Sequence, residues 1–318
     1  MKRSEAEPIV IIAGPTASGK SALALDAAEE FTGTVINADS MQVYRELRVL
    51  TARPTDGDEA RVPHRLFGAL PVTEACSAGR WLGMARAEIE AARGAGRLPI
   101  LVGGTGLYLK ALTDGLAPVP GIPQGIRSEA RRLHARLGGE AFRAELAKVD
   151  AEAARRLESG DSQRLIRAFE VVRATGRPLA DWQRQGAGGA ATDARFATIV
   201  LAPPRDALYA AIDARLDTMI EEGALDEVAE LDRLGLDAGL PAAKAVGVTE
   251  LRRHLRGEIT LDEALESAKR ASRNYAKRQL TWLRHQMPGA HVVPAQYSES
   301  FRPEIFSFIC QFLLTGRP

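Results

Sequence analysis

Two cysteines in 318 residues, Cys76 and Cys310, are too few and too far apart for a disulfide framework or a zinc site. Two buried thiols in a reducing compartment are expected instead. Long apolar runs are missing too, since no stretch reaches the roughly 18 apolar residues of a membrane span. Charge of one sign is also scarce. Lys and Arg number 42 against 41 Asp and Glu, a net +1, so any case for a polyanionic partner has to rest on local clusters. Met1 to Glu7 is polar and carries no secretory pattern. No repeat of 20–50 residues is present. With 45% hydrophobic and 26% charged residues, the composition is that of a soluble globular chain of one large or two ordinary domains. The expectation is a cytoplasmic protein with no membrane contact. Nothing in the sequence calls for an obligate oligomer, so a monomer is expected.

Ile9 to Ala13 is short, apolar and rich in β-branched residues, which reads as a buried strand. Gly14-Pro15-Thr16-Ala17-Ser18-Gly19-Lys20-Ser21 then fits G-x-x-x-x-G-K-S/T, and Leu23, Leu25, Ala27 and Ala28 continue into a helical pattern. Strand before and helix after is the context a phosphate-binding loop requires. A glycine-rich turn exposes backbone N–H groups at a helix N-terminus, where the dipole favours an anion. Lys20 adds a point charge, and Ser21 offers a hydroxyl to a Mg²⁺ that bridges phosphate oxygens. The alternative is a chance Gly/Ser-rich turn. The loop suits the diphosphate of a leaving group as well as the tail of ATP.

Two further strand ends carry polar residues. Thr34 to Ser40 reads as a strand ending in Asp39 and Ser40, followed by Met41 and Gln42. In open α/β sheets ligands sit outside the carboxyl ends of the strands, so Asp39 and Ser40 are expected to face the crevice of the phosphate loop. Asp39 is a helix cap, a Mg²⁺ ligand or a general base, and spacing does not separate the three. Leu98 to Val102 is another buried strand. Gly103-Gly104-Thr105-Gly106 follows, with Thr105 beside the start of a helix at Leu107. Small residues there let a substrate approach the backbone. A plain strand–helix turn is the alternative.

Between these runs, the prolines of residues 51–68 predict a loop, and His64 within it reads as structural. Ala78 to Gly94 reads as a helix whose Trp81 belongs to the core.

The Pro-rich run Leu116 to Pro123 marks a first boundary, and Gly186 to Ala191 reads as a flexible linker and a second. From Gln124 to Gly176 the pattern is wholly helical. Residues 118–195 hold 14 Lys and Arg against 10 Asp and Glu, with Arg127 among eight prominent arginines. Arg favours bidentate phosphate contacts and base stacking, although a solvated helix face also explains a modest excess. In Asp161-Ser162-Gln163-Arg164-Leu165-Ile166-Arg167, Asp161 reads as a helix cap. Gln163, Arg164 and Arg167 share one turn, while Leu165 and Ile166 can pack inward.

Phe196 to Leu201 returns to strand. A helix follows from Arg205 with Arg215 near its polar side, either a surface charge or an anion contact. Lys269 to Arg284 holds six basic and no acidic residues, interleaved with Tyr275 and Trp282. Phosphate contacts and base stacking are both available to such a stretch. His291 to Val293 predicts a last strand, and Pro303 to Leu314 a closing helix. Together these readings give an α/β fold: a P-loop NTPase-like parallel sheet flanked by helices, with an all-helical insertion. Residues 1–117 and 196–318 form the core, and 118–195 the insertion.

The ordered set of Gly14–Ser21, Asn37-Ala38-Asp39-Ser40-Met41-Gln42-Val43-Tyr44-Arg45, Gly103-Gly104-Thr105-Gly106-Leu107-Tyr108, Asp161-Ser162-Gln163-Arg164, Lys277-Arg278-Gln279 and Thr281-Trp282-Leu283-Arg284 resembles the tRNA dimethylallyltransferases, a family of bacterial tRNA prenyltransferases. The resemblance runs from Pro8 to about Arg284. It implies transfer of a dimethylallyl group from dimethylallyl diphosphate to N6 of the adenosine just 3′ of the tRNA anticodon. It also implies that Thr16, Lys20, Ser21 and Arg215 hold the diphosphate with Mg²⁺, and that Asp39 is the general base. Thr105 would sit near the reacting centre, Ser40, Met41 and Gln42 would border the target base, and Arg127 and the Gln163–Arg167 run would bind the RNA. Two departures stand out. Val248-Thr249-Glu250 follow Ala245-Val246-Gly247 where the family has an aromatic and then a basic residue, which puts an RNA-side or packing contact in doubt. Ala211 stands where relatives often carry Arg, which leaves Arg215 as the diphosphate's arginine.

Three rivals are weaker. A P-loop small-molecule kinase would use the same loop for ATP and want an arginine-bearing lid. A prenyltransferase for free adenine nucleotides would need less RNA-binding surface. A non-catalytic, nucleotide-gated RNA-binding protein would not need Asp39 and Thr105 at strand ends.

Overall fold

The structure, a computed structural model, describes residues 7–186 and 194–315. Most of the expected linker, residues 187–191, lies outside them. Compactness divides the chain into two units, Met1–Thr113 with Thr192–Pro318, and Asp114–Ala191.

The first unit is built on a six-stranded parallel sheet. Its strands are β1 (Glu7–Ala13), β2 (Gly33–Asn37), β3 (His64–Arg65), β4 (Leu98–Gly103), β5 (Ala194–Leu201) and β6 (His291–Val293), in the order β3-β2-β4-β1-β5-β6. Ile9 to Ala13 is fully buried, because a central parallel strand is covered on both faces and has to be apolar throughout. Helices α1 (Lys20–Glu30), α2 (Asp56–Arg61), α3 (Ala78–Gly94) and α4 (Gly106–Thr113) belong to the N-terminal part of this unit. Trp81 on α3 is fully buried, donates from Nε1 to the Asn37 carbonyl at 2.9 Å, and stacks on Tyr108. It is core, as its spacing predicts. The proline-marked loop at 51–68 is not all loop, since α2 and β3 lie within it. Thr55 and Asp58 form a capping box that starts α2, a signal the prolines outweigh in the sequence.

The second unit holds α5 (Gln124–Ala147), α6 (Ala151–Arg156), α7 (Ser162–Thr175) and α8 (Leu179–Arg184) around its own core of Phe142, Leu146, Leu157, Leu165 and Phe169. The helical pattern is interrupted at Gly138, whose φ of 74° and ψ of 170° are non-helical. Asp161 occupies the N-cap position of α7 without a capping bond, and its carboxylate pairs with Arg164 at 3.3 Å.

The C-terminal part of the first unit carries α9 (Arg205–Glu221), α10 (Ala224–Arg233), α11 (Val248–Leu255), α12 (Leu261–Gln286) and α13 (Arg302–Leu314). Thr260 and Glu263 form a capping box at the start of α12. The helix buries Ala264, Ala268, Ser272, Ala276, Gln279 and Leu283 at intervals of three or four residues, a single stripe turned inward. Of the residues that depart from the family pattern, Val248 is fully buried while Thr249 is exposed. The thiols differ from expectation: Cys76 is half-buried, while Cys310 on α13 is exposed. Among the described residues no helix is long and apolar enough to cross a membrane.

Candidate active site

Three neighbouring strands deliver three motifs to one edge of the sheet. β1 pairs with β4 up to Ala13 opposite Gly103, and β2 with β4 up to Asn37 opposite Val102. The segments that follow are the phosphate loop, the Asp39 segment and the Gly104–Thr105 turn, so parallel register alone brings them together.

Within the loop, Ala17 is held at φ 61° and Gly19 at φ 85°. The first is a left-handed conformation that a residue with a Cβ adopts only under constraint. At Gly19 a Cβ would also meet the Cβ of Tyr297 at 2.8 Å. Chain 263 to 279 residues away holds the loop in shape. Thr16 N–H donates to Gln279 Oε1 at 3.0 Å, Gln296 Nε2 donates to the Ala17 carbonyl at 3.1 Å, and Tyr297 N–H donates to the Ser18 carbonyl at 3.0 Å. Pro15 has no N–H and that of Thr16 is taken, so the loop offers an anion the amides from Ala17 onward.

Lys20 is buried and donates from Nζ to the Pro15 carbonyl at 3.2 Å. Burial pushes its pKa down to about 8, opposed by Asp39 and reinforced by Arg215. The Arg215 guanidinium is lowered by burial and raised by Asp39 and Glu222, and it reaches the Thr51 carbonyl at 3.4 Å. Ser18 Oγ is buried with no hydrogen-bond partner. Ser21, at the start of α1, is exposed. Lys20, Ser21, Arg215 and Ala211 line one open cavity. Glu222 lines the same cavity, so Lys20 and Arg215 share it with one carboxylate.

A second cavity shares Ala17, Arg215 and Met219 with the first. Its wall is apolar at Met41, Leu50, Ile212, Leu216, Met219 and Val246, and polar at Thr16, Asp39, Thr51, Ser272 and Tyr275. Asp39 Oδ1 accepts from the Met41 N–H at 2.9 Å, a turn that fixes the carboxylate at the end of β2. Thr105 Oγ1 accepts from the Ser40 N–H at 2.9 Å and lies 3.2 Å from Ser40 Oγ. Burial and the Asp39 charge push the Tyr275 hydroxyl well above its ordinary value.

The structure thus gathers Gly14 to Ser21, Asp39, Ser40, Met41, Thr105 and Arg215 within one unit. Gln42 is buried and its amide donates to the Thr51 and Ala52 carbonyls at 2.8 and 3.1 Å, so it shapes the loop beside the cavity and has no free donor. In the helical unit, Gln163 and Arg164 are exposed, and Arg127 and Arg167 are half-buried. Within the expected RNA-binding run, Leu165 packs inward as its place in the helical pattern predicts, with its side chain fully buried in that unit's core. Ile166 packs against the same core. The basic stretch on α12 is also weaker than its composition. Lys269 pairs with Asp217 at 2.8 Å and Arg273 with Asp213 at 2.6 Å, both on α9. Tyr275 lines the cavity and Trp282 packs its ring on Gly106, so both aromatics serve the site's interior. Sequence reasoning missed Leu50, Ile212, Leu216 and Met219, which look like any core residues in a helical or loop pattern. Ser272 and Gln279 carried a usable signal, since both fall on the apolar stripe of α12.

Comparison with known proteins agrees with this geometry. The family described as IPP transferase matches residues 42–286, and the one described as isopentenyl transferase matches residues 7–67. A tRNA dimethylallyltransferase of Rhodospirillum centenum is 58% identical over 283 residues, 89% of this chain and 90% of the relative. One of Paramagnetospirillum magneticum is 55% identical over 313 residues, 98% of this chain and 99% of the relative. The crystal structure of the tRNA isopentenylpyrophosphate transferase of Bacillus halodurans aligns with a TM-score of 0.71 at 33% identity, covering 98% of this chain and 97% of that one. The IPP transferase match takes in most of the chain, including the cavity-lining helices, and leaves one assignment: this chain belongs to the IPP transferase family.

Proposed function

We propose that the chain transfers a dimethylallyl group from dimethylallyl diphosphate to N6 of the adenosine 3′-adjacent to the anticodon in tRNA, releasing diphosphate. The observation that carries this reading is the joining of a phosphate loop to an apolar cavity with a carboxylate at the seam. The loop amides, Lys20 and Arg215 suit a diphosphate. The wall of Leu50, Ile212, Leu216 and Met219 suits a five-carbon branched chain. A kinase has no use for an apolar recess at that position.

In the reaction N6 attacks C1 of the prenyl chain, and the C1–O bond breaks with its electron pair leaving on diphosphate. The N6 proton passes to the Asp39 carboxylate. Lys20 and Arg215 stand where negative charge grows as diphosphate departs, and being partly desolvated they act strongly there. Ser40 and Thr105, already bonded to each other, form the edge against which the adenine rests.

Among the described residues no group of three or more His, Cys, Asp or Glu is placed to hold a metal. A donor set of one hydroxyl, Ser21, fits a Mg²⁺ that would arrive with the diphosphate. Held by the Ser21 hydroxyl, it would supply neutralisation of charge on the leaving diphosphate.

The adenine has to leave the anticodon-loop stack to reach Asp39, which costs a few kcal/mol. Arg127, Gln163, Arg164 and Arg167 of the helical unit are the residues proposed to hold the RNA and offset that cost. A tRNA acceptor is consistent with a cytoplasmic site of action and a monomeric enzyme.

The test is prenyl transfer with Mg²⁺ and radiolabelled dimethylallyl diphosphate. The acceptors are an anticodon stem-loop with adenosine at the target position, the same loop with guanosine there, and AMP. Label on the adenosine loop alone is expected. Asp39→Asn, which keeps the side chain's shape, is expected to lower kcat about 10²- to 10⁴-fold. Label on AMP would move the acceptor to free nucleotides, and absence of label with ATP turnover would overturn the reading.

A further inference from the structure

The hydrogen-bond ladder between β1 and β4 ends at Ala13 opposite Gly103. The two segments that matter most for the reaction begin one residue later and have no ladder to hold them together. One side chain spans that gap. Gln279, 5% exposed on α12, accepts from the Thr16 N–H with Oε1 at 3.0 Å and donates from Nε2 to the Gly104 carbonyl at 3.0 Å. Each partner admits one role, an N–H needing an acceptor and a carbonyl a donor, so the amide's orientation is fixed. The fit is close: a Cβ on Gly104 would lie 2.1 Å from Nε2, so a larger residue there would displace the amide.

The same helix continues the contact in both directions. Tyr275, four residues earlier, lines the cavity beside Asp39, and Trp282, three residues later, packs on Gly106. The inward stripe of α12 therefore runs from the donor cavity, across the phosphate loop, to the turn that carries Thr105.

We infer that Gln279 is a positioning residue. Its amide locks the phosphate loop to the Gly104–Thr105 turn, and so sets the distance between the donor's reacting carbon and the acceptor edge. The inference rests on the transferase reading above. The primary amide performs both bonds: Glu as a carboxylate keeps the acceptor and loses the donor, and Leu loses both. Each substrate would still find its own binding groups in a Gln279 variant, because Lys20, Arg215, Asp39 and Thr105 are all retained. What is lost is their mutual alignment, and a misplacement of about 1 Å can cost roughly 100-fold in rate.

The experiment compares wild type, Gln279→Leu and Gln279→Glu in two measurements. Steady-state kinetics per active site, with dimethylallyl diphosphate and the adenosine stem-loop varied separately, reads alignment. For Gln279→Leu the expected result is a kcat lowered about 10- to 100-fold with both KM values within about threefold of wild type. For Gln279→Glu the carboxylate beside the phosphate loop is expected to raise the donor KM as well, leaving the stem-loop KM unchanged. Amide hydrogen exchange over residues 14–21 and 103–107 of the ligand-free protein reads the lock itself. Protection is expected to fall in both segments together, with the rest of the sheet unchanged.

A normal kcat per active site in Gln279→Leu, or a loss confined to KM or to the folded fraction, overturns the inference. So does unchanged exchange in either segment. If wild type fails to transfer the prenyl group, the function proposed above falls. The exchange result still decides whether Gln279 locks the two segments.

Discussion

Raising the pH from 7 to 9 is expected to weaken donor capture through one side chain, Lys20. Its ammonium group is buried and pushed down to about 8, with Asp39 and Arg215 as the charged groups acting on it. Protonated Lys20 then falls from about nine-tenths at pH 7 to about one-tenth at pH 9, a tenfold loss of the form that binds diphosphate. Because kcat/KM reports the free enzyme, kcat/KM for dimethylallyl diphosphate should bend at about pH 8 and fall about tenfold per unit beyond it. Binding diphosphate restores the proton's value, so kcat at saturating donor should stay flat over the same range. The depressed value also says what holding the charge costs. A shift from 10.5 to about 8 corresponds to a penalty on the order of 3 kcal/mol in the absence of anion. The unfolded chain binds the proton more tightly, so that penalty is fully present below about pH 8 and is relieved as pH rises toward 10.5. Ligand-free protein should therefore gain stability between pH 8 and 10 through this residue, while Lys20→Met shows no such gain. Lys20→Arg, whose guanidinium does not titrate, should be less active but show no bend between pH 7 and 9. A wild-type profile straight to pH 9.5, or the same bend in Lys20→Arg, would refute the assignment.

Two further outcomes follow from packing. Glu227 on α10 accepts the backbone N–H groups of Arg48, Val49 and Leu50 at 2.7, 2.7 and 3.0 Å, fixing the loop that brings Leu50 and Thr51 to the cavity. Glu227→Ala should destabilise the protein by about 1–3 kcal/mol in urea unfolding and raise the donor KM several-fold, leaving the stem-loop KM unchanged. Leu165→Ala should cost about 2–5 kcal/mol, because Leu165 is fully buried in the helical unit's core. If that unit holds the RNA, the variant should raise the stem-loop KM and spare donor binding by calorimetry.

What could be read in the sequence were the features that local backbone chemistry encodes. The apolar run before Gly14, the glycines of the loop and the helical period after Lys20 specify strand, turn and helix without distant help. The Asp39 and Thr105 motifs were legible for the same reason, each being the polar end of a buried strand. Parallel pairing with β4 then brings all three to one edge. Length and pattern likewise exposed the helical stretch beginning at Gln124, although the break at Gly138 was hidden inside a continuous periodicity.

Only the tertiary structure decided what those motifs face. The apolar wall of the cavity comes from Leu50, Ile212, Leu216 and Met219, whose pattern in sequence is that of ordinary core. The basic stretch on α12 loses Lys269 and Arg273 to carboxylates 52 and 60 residues earlier in the chain, pairings that composition cannot reveal. Gln279 reaches the phosphate loop across 263 residues, and a contact at that separation is fixed by packing alone. Backbone conformation is set by neighbours in the chain. The partner of a charge or an amide is set by neighbours in space, and that is where this site acquires its chemistry.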